Sequence, residues 1–221
     1  MTALLRYQTA LLIGSHRGLP PVLLYAAWLV IGVQGGSPIL GTFGYAAGVL
    51  VPVAAWLTRI CVTNEPPAAR SCVAAAAGPG RAHLAAVLTA AGAALLLALP
   101  GVLVVTLLSD PRANDHRAVP VLPAVVAGLL TALTCLLMGI AIGALSNWPV
   151  LRSAARGVPV SLTAALLVLV LGASPVNAAL SGMIAGSAHG TVHTPWLPLA
   201  ATLALAAAAT AAACGLTSRR S

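Results

Sequence analysis

Acidic residues are nearly missing from this chain of 221 residues: Glu65, Asp110 and Asp115 are all there are. Lysine is absent altogether, and phenylalanine occurs once. Charged residues make up 6% of the sequence, against about a quarter in ordinary soluble domains. A water-soluble fold of this length could not cover its surface with so few charges. The 60% of hydrophobic residues includes runs long enough to cross a bilayer core, which takes about 20 helical residues. The chain reads as one integral membrane domain with no soluble catalytic domain attached.

Other absences narrow the chemistry. The four cysteines, Cys61, Cys72, Cys135 and Cys214, form no CxxC pair and no metal spacing, and read as small apolar residues. No Asp, Glu, Lys or Arg falls inside an expected span. That argues against a carrier coupled to protons or sodium through carboxylates at bilayer depth, although sodium sites built of carbonyls and hydroxyls stay open. No acidic cluster offers magnesium a site for lipid-phosphate transfer. The segment "GPGRAH" lacks the GxxxxGK(S/T) pattern, so the chain cannot hold ATP as a P-loop protein does. No secretory cleavage site stands out after the first apolar stretch. Two weak candidates for chemistry remain. His189 and His193 stand at i, i+4 with Met183 nearby, which could suit copper or zinc, but a glycine interrupts them and no carboxylate or cysteine is close. Ser181 in "LSGM" is a weak match to a nucleophile that would need a histidine partner. No bound cofactor and no metal is expected.

Six apolar spans can be placed, at about 19–35, 39–59, 83–108, 121–146, 157–173 and 195–216. The expected fold is therefore an all-α integral membrane protein with an even number of crossings and both termini on one side. Arginine chooses the side. Arg6, Arg17, Arg59, Arg70, Arg81, Arg152, Arg156, Arg219 and Arg220 flank one face, and Arg112 and Arg117 the other, beside Asp110 and Asp115. The positive-inside rule makes the larger group cytoplasmic, in a multi-pass protein of a bacterial cell membrane. The formal charge of +8 is spread over span ends rather than gathered on one soluble face, so no nucleic-acid partner is expected. Arginine without lysine, among so much alanine, suggests a GC-rich, actinobacterial genome.

Three segments are not plain spans. Residues 2–17 suit an amphipathic helix: at 100° per residue Arg6 and Arg17 fall about 20° apart, and Leu4 and Leu11 point the other way. Such a helix lies in the membrane interface with its apolar face down. Gln8 interrupts the apolar face and Ile13 the polar one, and Pro20 and Pro21 should end the helix. In the loop 60–82, Thr63 or Asn64 can cap a short helix with Glu65 and Pro66 in its first turn. "PPAARSCVAAAA" would propagate it and the glycines of "GPG" would end it. Residues 174–194 are apolar but broken by Pro175 and several glycines, which fits an outer re-entrant or interfacial segment covered by protein.

This order of parts resembles the membrane subunit of ABC-2 type (type V exporter-like) ABC transporters. The stretches "RYQTALLIGSHRGLPPVLLYAAWL", "AAWLTRICVTNEPPAARSCVAAAAGPGRAHLA" and "GASPVNAAL" look like actinobacterial members of that family, and the likeness runs along nearly the whole chain. The resemblance implies that residues 2–17 are a connecting (elbow) helix anchored by Arg6 and Arg17. It implies that Glu65 to Ala77 form a coupling helix seated in a separate ATPase subunit, with Asn64, Glu65, Pro66 and Arg70 at the contact. Residues 174–194, with Pro175 and Asn177, would close the outer side of the pathway. ATP and magnesium would sit on the ATPase subunit, and a second copy or a homologous permease would complete the membrane part among its lipids. The expected function is the permease subunit of an ATP-driven exporter of a hydrophobic or amphipathic substrate. The chain has no large extracellular domain, which leaves the substrate open. Two other readings stand beside it: a non-transporting membrane scaffold or immunity protein, and an intramembrane enzyme using Ser181 and the outer histidines.

Overall fold

The computed structural model describes residues 1–146 and 154–220, and the regular elements among them are nine α-helices. They are α1 (Thr2–Ser15), α2 (Leu19–Gly32), α3 (Ile39–Thr63), α4 (Pro67–Ala77), α5 (Pro79–Leu108), α6 (Val121–Leu145), α7 (Ala154–Val170), α8 (Pro175–His189) and α9 (Trp196–Arg220). Four of them, α3, α5, α6 and α9, are long and apolar enough to cross a membrane. The bent pair α7 and α8 makes a fifth crossing if counted as one span. The protein is thus all-helical and of multi-pass membrane type. The expected anchor Arg152 lies outside the described residues.

The centre is α3 against α6. Helices in lipid gain little from burying apolar surface against each other, so close packing through small residues holds them together. Here α6 brings Gly139 and Gly143, four residues apart, onto α3. A Cβ on Gly139 would lie 2.5 Å from the Val51 carbonyl oxygen and 2.8 Å from the Ala54 methyl. One on Gly143 would lie 2.5 Å from Thr58 Cβ. Further along, Gly128 gives its place to the Phe43 ring. The buried hydroxyls of Thr58, Thr131 and Thr134 donate to the carbonyls four residues earlier, each at 2.8 Å, so the seam needs no other polar partner.

Three expectations change. The first expected span, 19–35, is helical only over Leu19–Gly32, about 21 Å at 1.5 Å per residue. Val33 is extended and Gly36 takes φ +83°, so "QGGSP" turns the chain instead of continuing the helix. Pro20 and Pro21 begin α2 rather than stopping α1; a proline is tolerated in a first turn because its missing N–H has no intrahelical partner there. The end of α1 is set by His16, in the left-handed region at φ 53°.

The third change concerns the segment expected as a re-entrant outer loop. Residues 175–189 form α8, which continues α7 across a short break at an angle of 46°. Val158 and Leu162 of α7 line a cavity with Pro52, Trp56 and Arg59 of α3. Leu169 and Leu180 both approach Gly48, and Met183 and Ser187 of α8 meet Gly44 and Gly41. The two short helices therefore follow α3 from its C-terminal half to its N-terminal end, an arrangement that serves as a broken span or as a re-entrant loop. Ser174 caps α8 by accepting from the Val176 amide at 3.2 Å. Asn177 donates to the Leu169 carbonyl at 2.8 Å, closing the open end of α7.

Both termini come to one end of the bundle. Gly80, at the start of α5, faces Ser218 and Cys214 of α9, and α1 is bonded to the end of α3. Arg59, Arg70 and Arg81 belong to this end. At the other end the Leu108 carbonyl accepts from Gly36, Asp110 from Ile39, and Ser187 from Asn114. There Asp110 pairs with Arg112 at 3.9 Å and Asp115 with Arg117 at 3.2 Å.

Candidate functional site: the junction of α1, α3, α4 and α5

The sequence "TNEPPAAR" folds into a hydrogen-bonded junction. A residue before proline is pushed out of the helical region, so the two consecutive prolines end α3 at Thr63 and leave Glu65 and Pro66 between helices. The last carbonyls of α3 then lack intrahelical donors. Arg70, one turn into α4, supplies them: its guanidinium donates to the Val62 carbonyl at 3.3 Å and the Glu65 carbonyl at 3.1 Å. A cation at a helix C-terminus also complements the helix dipole. Asn64 ties the same end to α1, donating to the Leu11 carbonyl at 3.1 Å and Ser15 Oγ at 3.0 Å.

Glu65 differs most from its expected role. It does not lie in the first turn of α4: Pro66 is the N-cap, and no side chain caps the helix. Its carboxylate is turned inward, 6% exposed, and Oε1 accepts from the Tyr7 hydroxyl at 3.0 Å. Burial first, and then the Glu65 carboxylate, hold the Tyr7 proton more tightly than usual. The exposed residues of α4 are Ala68, Ser71, Cys72, Ala75 and Ala76, of which Ser71 and Ala75 also border the cavity beneath it. Gly78, at φ +87°, ends the helix; only glycine adopts that conformation at little cost.

Helix α1 rests on protein rather than turning its apolar face entirely to lipid. Leu4, Leu5, Leu11 and Leu12 are half-buried around Gln8, which is 3% exposed. Arg6 and Arg17 are exposed. The polar residue that interrupts the apolar face is thus its most buried member. Gln8 and Glu65 line a cavity of about 500 Å³ beneath α4, with Arg70, Ser71, His83 and Cys61.

The other candidates do not assemble. Ser181 and His189 share α8 eight residues apart, about 12 Å of helix rise, and the Ser181 hydroxyl donates to the Ala178 carbonyl. Met183 is buried against Gly44 while His189 is exposed, and His193 contacts Thr191 at 3.4 Å. Among the described residues no three His, Cys, Asp or Glu side chains gather. Pro175 and Asn177 lie at the start of α8, at the bend from α7. Sequence reasoning missed Tyr7, Gln8 and His83. Gln8 carried a signal, as the one polar residue on a leucine face; Tyr7 and His83 carried none. No family model matches the chain, nor does any curated protein or solved structure.

Proposed function

We propose that this protein is the membrane permease subunit of an ATP-driven ABC exporter of the ABC-2 type, in a bacterial cell membrane. A separate ATPase subunit would bind ATP and magnesium, and a second copy or a homologous permease would complete the pathway. The cargo class is hydrophobic or amphipathic. This reading counts α2 and the bent α7–α8 pair as crossings, six in all, and with the arginine-rich end cytoplasmic by the positive-inside rule it has both termini and α4 in the cytoplasm.

One observation carries the reading. A short helix with an exposed face of small residues is bonded to the bundle at its start, so displacement of α4 is passed to the end of α3 through Arg70 and to α1 through Asn64 and Glu65. The long helix α3 leads from there through the core. That arrangement suits a lever between a soluble motor and membrane helices. The close approach needed by a docked ATPase is easiest on a surface of Ala and Ser.

Cys72 gives the test, since it is exposed on that face. With Cys61, Cys135 and Cys214 replaced, the remaining thiol should resist an impermeant maleimide in intact cells and react after permeabilisation. Co-expression with a candidate ATPase subunit that carries a Walker A motif should protect Cys72 and co-purify both chains with ATP hydrolysis. Labelling from outside would overturn the orientation and the export reading together.

A further inference from the structure

The cavity beneath α4 is built of more than packing. Gln8 is 3% exposed, lines it, and has no hydrogen-bond partner for its carboxamide among the described residues. Its carboxamide atoms are not fully enclosed; they border the cavity in the middle of a leucine face. Glu65, 6% exposed, lines the same space. Its carboxylate receives one side-chain hydrogen bond, from Tyr7, whereas an ionised carboxylate offers about four acceptor positions.

A carboxylate and a carboxamide lining one cavity suit a cationic ligand with N–H donors. A primary ammonium carries three. The opposite charge is present as well: the Arg70 guanidinium and the Ser71 hydroxyl belong to the same lining, and most of the remaining wall is alanine. On another flank α1 borders an apolar groove of about 680 Å³ against α2 and α5, with Leu12, Leu19, Val22, Leu88 and Leu96 among its lining. We infer that the cavity binds a primary ammonium joined to a phosphate, the head of an aminophospholipid. Glu65 and Gln8 take the ammonium, and Arg70 attracts the phosphate. A quaternary choline head has no N–H to give to Gln8 or Glu65. The inference does not rest on the export reading, because a scaffold with this junction would bind the same head.

The test uses the full chain in detergent, with native mass spectrometry after incubation with dioleoyl phosphatidylethanolamine, phosphatidylcholine or phosphatidylglycerol. The ethanolamine lipid should be retained about tenfold more tightly than the choline lipid, as expected for one charged hydrogen-bonded contact. Gln8→Leu, which suits a leucine face, and Glu65→Gln should each reduce that preference. Equal retention of the ethanolamine and choline lipids by the unaltered protein overturns the inference without any variant. So does a preference that survives both substitutions together. Soluble phosphoethanolamine separates the two sources of this chemistry. If it displaces the lipid, the head alone is what the site recognises; if it does not while the lipid is retained, the chains contribute and the ligand is the intact lipid. Neither outcome bears on whether an ATPase binds α4.

Discussion

The most apolar windows of α5 and α6 have the same mean hydropathy, 2.4, yet 72% of that window is buried in α6 and 22% in α5. Hydropathy separates membrane from water; it does not separate an inner helix from an outer one. In lipid the distinction lies in side-chain size, because leucine gains no more from protein than from acyl chains. The inner helix α6 presents Gly128, Gly139 and Gly143 to α3, while α5 leaves Leu96, Leu103 and Leu107 exposed. Burial also divides α3 from α9, with 67% and 22%, although α9 is rich in alanine.

Filling the inner seam should have the largest effect. Gly139→Leu forces a side chain into the Val51 carbonyl and the Ala54 methyl, and α3 and α6 must separate; loss of the folded protein is expected. Gly139→Ala adds one methyl at 2.5 Å from that carbonyl and should cost about 1–3 kcal/mol, as overpacking does. On α5, a Cβ at Gly92 meets nothing within 4 Å, so Gly92→Ala should leave stability unchanged or slightly raised, since alanine is the better helix former. Thermal unfolding in one detergent compares the three. Equal midpoints for Gly139→Ala and Gly92→Ala would remove the size argument.

Much of this fold was legible in the sequence, and the parts that were not share a cause. The long apolar runs gave α3, α5, α6 and α9, and "EPPAAR" followed by "GPG" marked the limits of a short helix between α3 and α5. Charge placed Arg59, Arg70 and Arg81 together at one end. What could not be read was decided by tertiary contacts. Residues 174–194 read as a re-entrant or interfacial segment because Pro175 and the glycines break them, whereas Leu180, Met183 and Ser187 fit α8 against Gly48, Gly44 and Gly41 of α3. Glu65 looked outward because carboxylates usually do; only the fold brings Tyr7, 58 residues away, to its oxygen. Gln8 counted as a flaw in an amphipathic pattern, and the flaw marked the cavity.

The junction at the arginine-rich end should respond less than the seam, and asymmetrically. Tyr7→Phe leaves a carboxylate that is 6% exposed without its donor, a loss of about 1–3 kcal/mol. Glu65→Gln keeps an acceptor for Tyr7 and should lose less. Pairing Tyr7→Phe with Glu65→Leu should recover part of the deficit, because no stranded charge remains. Denaturant unfolding of the three variants reads the order directly, and a neutral Tyr7→Phe would sink the bond as a stabilising contact. pH gives a second reading. The Tyr7 proton is held above its usual value of 10.0, so the protonated contact stabilises fully below pH 10 and is lost as pH rises through the folded value. Tyr7→Phe should erase that alkaline loss.

The smallest effect is expected on the outer helix. Leu96 is 71% exposed, so Leu96→Ala removes a side chain surrounded by detergent or lipid in either state. The change in stability should stay within about 0.5 kcal/mol, as for surface substitutions elsewhere. That small number is useful because the protein could be weighed twice, as a monomer in detergent and again in bilayer nanodiscs. If α5 faces lipid, Leu96→Ala is silent in both. If a second copy covers α5 in the bilayer, the substitution removes packing from a helix–helix contact and the loss appears only there. Leu96→Cys in a background without the four native cysteines then gives the decisive reading: a disulfide-linked dimer in membranes would move α5 from the outer class of helices to the inner one, and its absence, with Leu96→Ala silent, would leave lipid as the partner of that face.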